Sequence, residues 1–297
     1  MKIQSIVRKY MPIKAKWPHW MLKYAVKKRY QQVMGYKLDL KSPRTFNEKI
    51  QWYKLYYDNP VVPTITNKYT FKEYIENKLG ADKYTAKLYG HWCSVEDMMN
   101  DWDNLPNEFV LKSNMSFNGY NMIFVTNKNT VSKEKISRNV RSWLDVRNTM
   151  MNTCSCRFYN STPCIIAEEF LKQDGHVPND YKFYCFDGKP YYTYVDVPHY
   201  EDGVSAISFY DMDWNFIDVK YADYKSVKIE KPQRFEEMLE IAKKLSAGFP
   251  FVRVDFFNIG EDIYLSELTF DSGDGHRKFT PASFDEELGK QFRLTRR

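Results

Sequence analysis

The sequence predicts an α+β protein with largely antiparallel sheets, and three observations support this. Apolar residues make up 43% and aromatic residues 17% of the 297 residues, which is typical of a globular chain with a sizeable core. Short apolar or alternating segments recur in pairs that are separated by turn residues, as in β-hairpins. These hairpins follow one another in runs, which argues against a doubly wound parallel sheet.

Helices are predicted at the N-terminal end and between the hairpins. Residues 1–58 have helical character, and one helix is predicted to start near Thr45, because Thr45 followed by Glu48 fits a capping box. A second helix over residues 67–79 is predicted to end before Gly80, since glycine is common just beyond a helix C-terminus. The remaining predicted helices span residues 133–147 and 233–247.

The strands are predicted from apolar alternation and turn residues. The predicted hairpins pair residues 109–112 with 122–125 across a polar loop (113–121), 181–186 with 191–195, the two halves of 206–219, and 251–257 with 263–270. A further strand over residues 163–167 leads into Glu168. We therefore expect a basic helical region (1–60), a helix and connecting segment (61–105), a small lobe (106–171) and a large lobe (172–297).

The composition also indicates the cellular compartment of the protein. No stretch approaches 18 uninterrupted apolar residues, so no membrane span is predicted. The N-terminus lacks the continuous apolar region of a signal peptide. Five cysteines are an odd number, which argues against a disulfide framework and favours reduced thiols. We expect a cytoplasmic protein.

The net charge of +6 is unevenly distributed, because residues 1–38 contain basic residues and no Asp or Glu. The basic residues are Lys2, Arg8, Lys9, Lys14, Lys16, Lys23, Lys27, Lys28, Arg29 and Lys37. Aromatic residues interleave them, so the segment is a candidate for peripheral contact with an anionic membrane at its inner face. The alternative is a solvated basic helix packed on the body. Nucleic acid is not expected as a partner, since no binding motif accompanies the charge.

The strongest chemical signal lies in the last predicted hairpin. Alternate residues of a strand share a face, so Arg253 and Asp255 point the same way, as do Glu267 and Thr269. The turn at 258–262 brings the two pairs across from one another. Two carboxylates at one place require a cation, and Mg²⁺ takes oxygen ligands from carboxylates and phosphates. The alternative is a cross-strand ion pair between Arg253 and Glu267 on an ordinary sheet.

Three further segments could contact a nucleotide. Lys112 ends an apolar strand and faces a loop, where a fixed cation can contact phosphate. Residues 168–171 end another strand, where backbone groups can pair with an adenine edge. Lys182 lies in an alternating strand, where it either reaches the nucleotide or is solvated.

The order of these motifs resembles the ATP-grasp superfamily, which includes D-alanine–D-alanine ligase. The motifs are Asn67-Lys68-Tyr69, residues 109–112, residues 168–171, Arg253-Val254-Asp255 and Ser266-Glu267-Leu268. Residues 42–52 (SPRTFNEKIQW), 180–188 (DYKFYCFDG), 209–214 (FYDMDW) and 251–270 more closely resemble the TupA-like ATP-grasp family, which occurs in capsule and teichuronopeptide biosynthesis. The resemblance covers roughly residues 30–297, and several blocks in one order are more specific than any single motif.

The resemblance implies an ATP-grasp fold with ATP held between two α+β lobes. It implies phosphate contacts from Lys68 and Lys112, and adenine binding by Glu168 with the backbone of Glu169 and Leu171. It also implies Mg²⁺ ligation by Asp255 and Glu267, with Thr269 at the third metal position, and a catalytic role for Arg253 on the acyl phosphate and the oxyanion.

Two positions and one loop depart from the family pattern. Thr269 stands where an asparagine is frequent, and Asn67 stands where an aspartate is usual. The phosphate loop, residues 114–119, contains one glycine instead of several, so its backbone amides would approach the phosphates less closely. These departures leave slow turnover or altered nucleotide use open.

The resemblance implies a carboxylate–amine (or thiol) ligase that acts through an acyl phosphate in capsular or other surface polysaccharide biosynthesis. Its substrate would be a small molecule or a lipid-linked glycan with a uronic acid or amino acid substituent. One alternative is a glycosyltransferase of the same pathway, since Asp211-Met212-Asp213 matches a metal-binding Asp-x-Asp pattern, although Asp is also favoured in turns. A non-catalytic ATP-binding module is the other alternative.

Overall fold

A computed structural model describes residues 19–117, 119–145, 162–201 and 204–295. The helices are α1 (His19–Met34), α2 (Phe46–Tyr56), α3 (Val62–Thr66), α4 (Thr70–Leu79), α5 (Val95–Asn100), α6 (Lys133–Arg141), α7 (Phe235–Ser246) and α8 (Ser283–Gln291). Short 3₁₀ turns lie at Trp102–Asn104, Lys128–Thr130, Ser142–Leu144 and Ser272–Gly275.

The strands complete an α+β architecture, as predicted. They are β1 (Leu88–Trp92), β2 (Phe109–Phe117), β3 (Tyr120–Val125), β4 (Ile165–Glu168), β5 (Asp180–Phe186), β6 (Lys189–Glu201), β7 (Val204–Asp211), β8 (Phe216–Ile217), β9 (Lys220–Tyr221), β10 (Phe251–Ile259), β11 (Asp262–Thr269) and β12 (Phe279–Thr280). All pairs of these strands are antiparallel, and each predicted hairpin is confirmed. None of the described helices has the length and apolar character needed to cross a bilayer.

The described chain forms two compact units. Unit one contains Pro60–Ile75 and Ala86–Phe170, and unit two contains His19–Asn59, Glu76–Thr85 and Leu171–Arg297.

Unit one is built on a four-stranded sheet in the order β1-β4-β2-β3. Large apolar side chains from the sheet, α5, α6 and two of the 3₁₀ turns form its core, among them Trp92, Met98, Trp102, Phe109, Leu111 and Trp143. Strand β4 is buried along its whole length and pairs with β1 on one side and β2 on the other. Its last residue, Glu168, lies opposite Leu88 and Val110, so the end of β4 is fixed from both sides.

Unit two is built on a six-stranded sheet in the order β11-β10-β5-β6-β7-β8. The register aligns two rows of residues across this sheet, and residues directly opposite each other share a face. One row is Glu267, Asp255, Lys182, Tyr194 and Phe209, and the next is Thr269, Arg253, Tyr184 and Tyr192. The other face is apolar, where Phe183 packs against Phe235 of α7 and against Phe256 of β10.

Helix α2 is a buried helix of unit two and begins as the sequence predicts. Thr45 Oγ1 accepts from the backbone N–H of Glu48, and Glu48 Oε2 accepts from the backbone N–H of Thr45, which completes the capping box. Phe46, the first residue of the helix, packs on Tyr184 and Phe251. The helix is thereby anchored on the strands that carry the arginine and carboxylate rows.

The predicted helix boundaries are wrong at three places. Residues 35–45 separate α1 from α2, because Gly35 adopts φ +86° and ends the first helix. Helix α4 starts at Thr70 instead of residue 67, since the Asn67 side chain accepts from the backbone N–H of Tyr69 in a local turn. Helix α6 ends at Arg141 and continues only as a 3₁₀ turn. Residues 1–18 lie outside the described part of the chain.

The predicted polar loop at 113–121 is also wrong at both ends, because β2 continues to Phe117 and β3 begins at Tyr120. Ser113, Asn114 and Met115 are fully buried. Asn114 is accommodated because its side chain donates to the carbonyl of Thr162 at 2.9 Å and accepts from the backbone N–H of Cys164 at 2.9 Å. Of the loop predicted at 114–119, residue 118 lies outside the described residues.

Candidate functional site

The end of β4 in unit one carries a buried carboxylate between two lysines. Glu168 is 5% exposed, and its Oε2 lies 2.7 Å from Lys112 Nζ. Its Oε1 lies 2.9 Å from Lys72 Nζ, which also donates to the carbonyl of Ala86 at 2.5 Å. Two lysines to one carboxylate leave an excess of positive charge at this point.

The lysines determine the ionisation of Glu168. Burial alone would raise the pKa of this carboxyl, but the charges of Lys112 and Lys72 and their hydrogen bonds outweigh burial and lower the pKa to about 2. Burial lowers the pKa of Lys72, and Glu168 opposes that change. The lysines are therefore held in fixed positions by charge-assisted hydrogen bonds to an ionised partner.

Sequence reasoning predicted Lys68 and Lys112 here and missed Lys72. Lys68 is half-buried, and its backbone N–H donates to the carbonyl of Asn114 at 2.8 Å, which ties this segment to β2. Lys72 lies one helical turn further along in α4, and it is this side chain that pairs with Glu168. The spacing of four residues from Lys68 was the available signal.

The residues that follow Glu168 were predicted to bind adenine through their backbone. The backbone N–H of Glu169 donates to the carbonyl of Lys87 at 2.9 Å, so this amide is used in fixing the end of β4. The chain passes from unit one to unit two between Phe170 and Leu171. Adenine binding by Glu168, Glu169 and Leu171 stays a prediction.

In unit two, the register of β10 and β11 brings the predicted arginine and carboxylates together. Arg253 Nε donates to Asp255 Oδ1 at 2.7 Å and Nη2 donates to Asp255 Oδ2 at 2.5 Å, a bidentate pair. The same Nη2 donates to Glu267 Oε1 at 2.8 Å. The guanidinium therefore bonds to both carboxylates, and the cross-strand ion pair left open by the sequence is present.

Glu267 and Thr269 form the more accessible side of this cluster. The Glu267 side chain is 31% exposed, whereas Asp255 is fully buried. Thr269 Oγ1 donates to Glu267 Oε1 at 2.8 Å and accepts from Arg253 Nη2 at 3.1 Å. Thr269 thus orients Glu267 through a hydrogen bond, and its metal role stays a prediction.

Lys182 is buried in the cluster, so the solvated alternative is wrong for this residue. Its Nζ lies 3.2 Å from Asp255 Oδ2 and also forms a close ion pair with Asp180. Burial opposes the charge of Lys182, but Asp180 and Asp255 outweigh it and raise the pKa of the ammonium. A positive charge is thereby held beside the carboxylate of Asp255.

Sequence reasoning missed two further acidic residues on the same face. Asp180 and Asp196 lie directly opposite each other on β5 and β6. Burial raises the pKa of Asp180 to about 7 and also raises the pKa of Asp196. In each, Oδ1 is buried and accepts no hydrogen bond from any residue in the described part of the chain. The signal for Asp180 was its spacing of two from Lys182, which places both on one face.

The cluster offers oxygen donors, which suit Mg²⁺. It does not bring three acidic, His or Cys ligands together around one point. Within residues 19–295 as described, no three or more His, Cys, Asp or Glu side chains are arranged to hold a metal ion. Mg²⁺ is commonly bound by one or two carboxylates and completed by substrate phosphates, however. Asp255 and Glu267 supply two carboxylates on paired strands, and Arg253 bonds to both of them in this structure.

The Asp-x-Asp segment at 211–213 is used in a turn. Asp211 Oδ1 accepts from the backbone N–H groups of Asp213 and Asn215 at 3.0 and 2.8 Å, and Oδ2 accepts from the Asn215 side chain. Both oxygens of Asp211 therefore stabilise the turn between β7 and β8, in agreement with the turn interpretation.

The chain is similar to known proteins both in sequence and in structure. The model of the TupA-like ATPgrasp family matches residues 48–293. None of the curated proteins compared with this chain matches it.

Several solved structures are similar at low identity. D-alanine–D-alanine ligase from Helicobacter pylori is 19% identical over 77% of this chain, with a TM-score of 0.43. Carboxyaminoimidazole ribonucleotide synthase from Aspergillus clavatus, complexed with ATP, is 17% identical over 70%, with a TM-score of 0.40. The alignments cover 61% and 45% of those chains, so this chain spans less than two thirds of either length.

The family match contains most of α2, the strands of both sheets and the arginine–carboxylate cluster. Since it includes well over half of the 297 residues, the chain belongs to the TupA-like ATPgrasp family, and its antiparallel α+β structure is an ATP-grasp fold.

Proposed function

We propose that this protein is an ATP- and Mg²⁺-dependent ligase that joins a carboxylate to an amine or a thiol through an acyl phosphate. The observation that carries the proposal is the cluster on β10 and β11, where Arg253 bonds to Asp255 and Glu267 on one face of the sheet. Membership of the TupA-like ATPgrasp family supports the nucleotide. The lysine pair around Glu168 supports phosphate binding in unit one.

The proposed reaction has two steps. A carboxylate oxygen of the acceptor attacks the γ-phosphorus of ATP, the bond between that phosphorus and the β–γ bridging oxygen breaks, and ADP leaves. The nitrogen or sulfur of the second substrate then attacks the acyl carbon, the bond from that carbon to the phosphate oxygen breaks, and inorganic phosphate leaves. The proton lost by the nucleophile passes to solvent or to a nearby base.

The residues of each unit have distinct tasks in this proposal. Lys112 and Lys72 would bind the phosphates as fixed cations, with Glu168 holding both in position. Asp255 and Glu267 would hold Mg²⁺, which neutralises charge on the phosphates when it is bound. Arg253 would stabilise negative charge on the acyl phosphate and on the oxyanion formed during its breakdown. Positioning and charge stabilisation are the main contributions expected from the protein.

The acceptor is proposed to be a uronic acid or amino acid substituent on a small molecule or a lipid-linked glycan of surface polysaccharide synthesis. The resemblance of residues 180–188 and 209–214 to the TupA-like family supports this acceptor class. A binding experiment tests the nucleotide first. With Mg²⁺ and ATP at about 100 times its Kd, bound ligand adds about 2.7 kcal/mol to the free energy of unfolding, and the Tm rises by about 4 °C.

The outcome of the binding experiment separates the candidate functions. UDP-sugars are expected to leave the Tm unchanged, and a rise with UDP-sugars but not with ATP would instead favour a glycosyltransferase. A product assay follows, with ATP, Mg²⁺, uronate-containing acceptors and a mixture of amino acids. Mass spectrometry is expected to detect an amide along with ADP. ATP binding without turnover would favour a non-catalytic module, and ADP release without amide would count against the ligase.

A further inference from the structure

The outer face of α1 carries aromatic and basic side chains side by side. Trp20 and Tyr24 are 70% and 58% exposed, and Lys27 and Lys28 are exposed one turn further on. At about 100° per residue, these four side chains fall on one side of the helix. The opposite side is buried by Leu22, Val26 and Tyr30.

The charged residues of helix α1 are all basic. Helix α1 contains no Asp or Glu, and neither does any other part of residues 1–38. Arg29, on the flank of the helix, is paired with Asp274 at 3.2 Å and so serves the structure of unit two. Lys27 and Lys28 instead extend from the outer face, where they present positive charge beside the two aromatic rings.

A basic helix that is merely solvated accounts for the lysines but not for the aromatic rings. Trp20 is the most exposed of the large hydrophobic side chains in the described residues, and Tyr24 is the next. Trp and Tyr combine an apolar ring with a polar atom, and they are enriched where lipid headgroups meet acyl chains. Lysines beside them would be attracted by anionic headgroups. The two features together match a lipid surface better than water, and no nucleic-acid motif accompanies them.

We propose that α1 docks this protein on an anionic membrane surface. Trp20 and Tyr24 enter the headgroup layer, and Lys27 and Lys28 contact the lipid phosphates. The 16-residue helix is about 24 Å long, and it lies along the surface because Leu22, Val26 and Tyr30 stay buried in unit two. This inference does not depend on the proposed ligase activity.

Vesicle co-sedimentation of the full chain tests the inference. The probes are vesicles of equal parts phosphatidylglycerol and phosphatidylcholine, and vesicles of phosphatidylcholine alone. One variant combines Lys27→Glu with Lys28→Glu, and another combines Trp20→Ser with Tyr24→Ser. The matched control combines Lys243→Glu with Lys244→Glu, which makes the same charge change at an exposed adjacent pair on α7 of the same unit.

The wild type is expected to bind the anionic vesicles and not the neutral ones. Each surface lysine contributes about fivefold to partitioning, so the Lys27 and Lys28 variant should bind at least about 25-fold more weakly. The Trp20 and Tyr24 variant should also bind more weakly, whereas the α7 control should bind nearly as the wild type does. Unchanged circular dichroism and Tm show that the variants fold.

Three results would overturn the inference. The first is absence of binding to anionic vesicles by the wild type. The second is an equal loss of binding in the α1 and α7 charge variants, which would show a general effect of net charge. The third is self-association of the wild type that the Trp20 and Tyr24 variant abolishes without any vesicle binding, which would make the face a protein interface. ATP binding is expected to be unchanged in every variant, so failure here is distinct from failure of the ligase proposal.

Discussion

Glu168 shows how one buried carboxylate can hold two ammonium groups in place. A carboxylate that is 5% exposed would ordinarily be costly to ionise, yet two lysines make the ionised form the stable one. If the two lysines moved into solvent, the buried charge of Glu168 would be left unpaired. This mutual dependence fixes the positions of both ammonium groups.

The low pKa of Glu168 predicts that the free energy of unfolding decreases at acidic pH. Its folded pKa of about 2 lies below the ordinary value of 4.5, so its contribution is fully present above pH 4.5 and is lost as the pH falls toward 2. The difference corresponds to about 3 kcal/mol in the free energy of unfolding. Glu168→Gln should remove this part of the pH dependence, as measured by urea unfolding across that range.

A matched control for this prediction is Glu73→Gln, which changes an exposed glutamate on α4. Its pH dependence should stay close to that of the wild type. If the stability of Glu168→Gln falls in acid as steeply as that of the wild type, Glu168 is not held ionised by the lysines.

At the residue scale, the sequence was sufficient where a prediction required only the alternation of side chains along a strand. The shared face of Arg253 and Asp255, and its position opposite Glu267 and Thr269, follow from alternation and a short turn. The burial of Lys182 could not be predicted, because alternation gives the face of a side chain but not what covers that face. Lys72 was missed because its contact with Glu168 joins a helix to a strand nearly 100 residues away.

In unit two, contacts at the ends of helices α2 and α8 fix the positions of these helices. The N-terminus of α2 is closed by a capping box, and its first residue packs on the strands of the sheet. The backbone of α8 passes directly beside this N-terminus, since a Cβ at Gly289 would meet the carbonyl oxygen of Arg44 at 2.1 Å. Lys49 donates to the carbonyls of Gly289 and Phe292 at 2.8 Å, which joins α2 to the end of α8.

The capping box predicts a specific loss when its hydroxyl is removed. Thr45→Ala leaves the backbone N–H of Glu48 without its acceptor, and should lower the free energy of unfolding by about 1 kcal/mol. Urea unfolding monitored by circular dichroism measures the change. Thr45→Ser retains the acceptor and should cost much less; an equal loss in both variants would assign the effect to the lost methyl group.

The close passage of α8 predicts a second loss. Gly289→Ala should destabilise unit two by about 2 kcal/mol, because backbone atoms must move to admit the methyl group, even though alanine favours helices by about 1 kcal/mol over glycine. Lys290→Ala, at an exposed position of the same helix, is the control and should change stability little. A Tm of Gly289→Ala equal to that of the wild type would contradict the close contact.

The start of α2 was predictable because capping residues are a local signal. The continuation of β2 through Asn114 was not predictable, because a buried asparagine is acceptable only when distant residues satisfy its amide. Here Thr162 and Cys164 do so. The polar composition of residues 113–117 therefore indicated a loop where tertiary hydrogen bonds maintain a strand.

At the scale of the whole molecule, each of the two units contributes one set of charged groups to the proposed activity. Unit one has the lysine pair on Glu168, and unit two has the arginine–carboxylate cluster with Lys182. The order of motifs along the chain was sufficient to indicate the family, because several blocks in one order are more specific than any single motif. The ionic partners within each set became visible only in the folded structure.

The most direct test of the central claim is Mg²⁺-dependent ATP turnover by the Glu267→Gln variant beside the wild type, with uronate-containing acceptors and amino acids present. The variant should retain its fold and lose turnover by about 100-fold, because it removes the accessible carboxylate proposed to hold Mg²⁺. The control Glu261→Gln makes the same change at an exposed site in the β10–β11 turn, and should retain activity. Turnover in Glu267→Gln equal to that of the wild type would contradict the assignment of this cluster as the metal site of an ATP-dependent ligase.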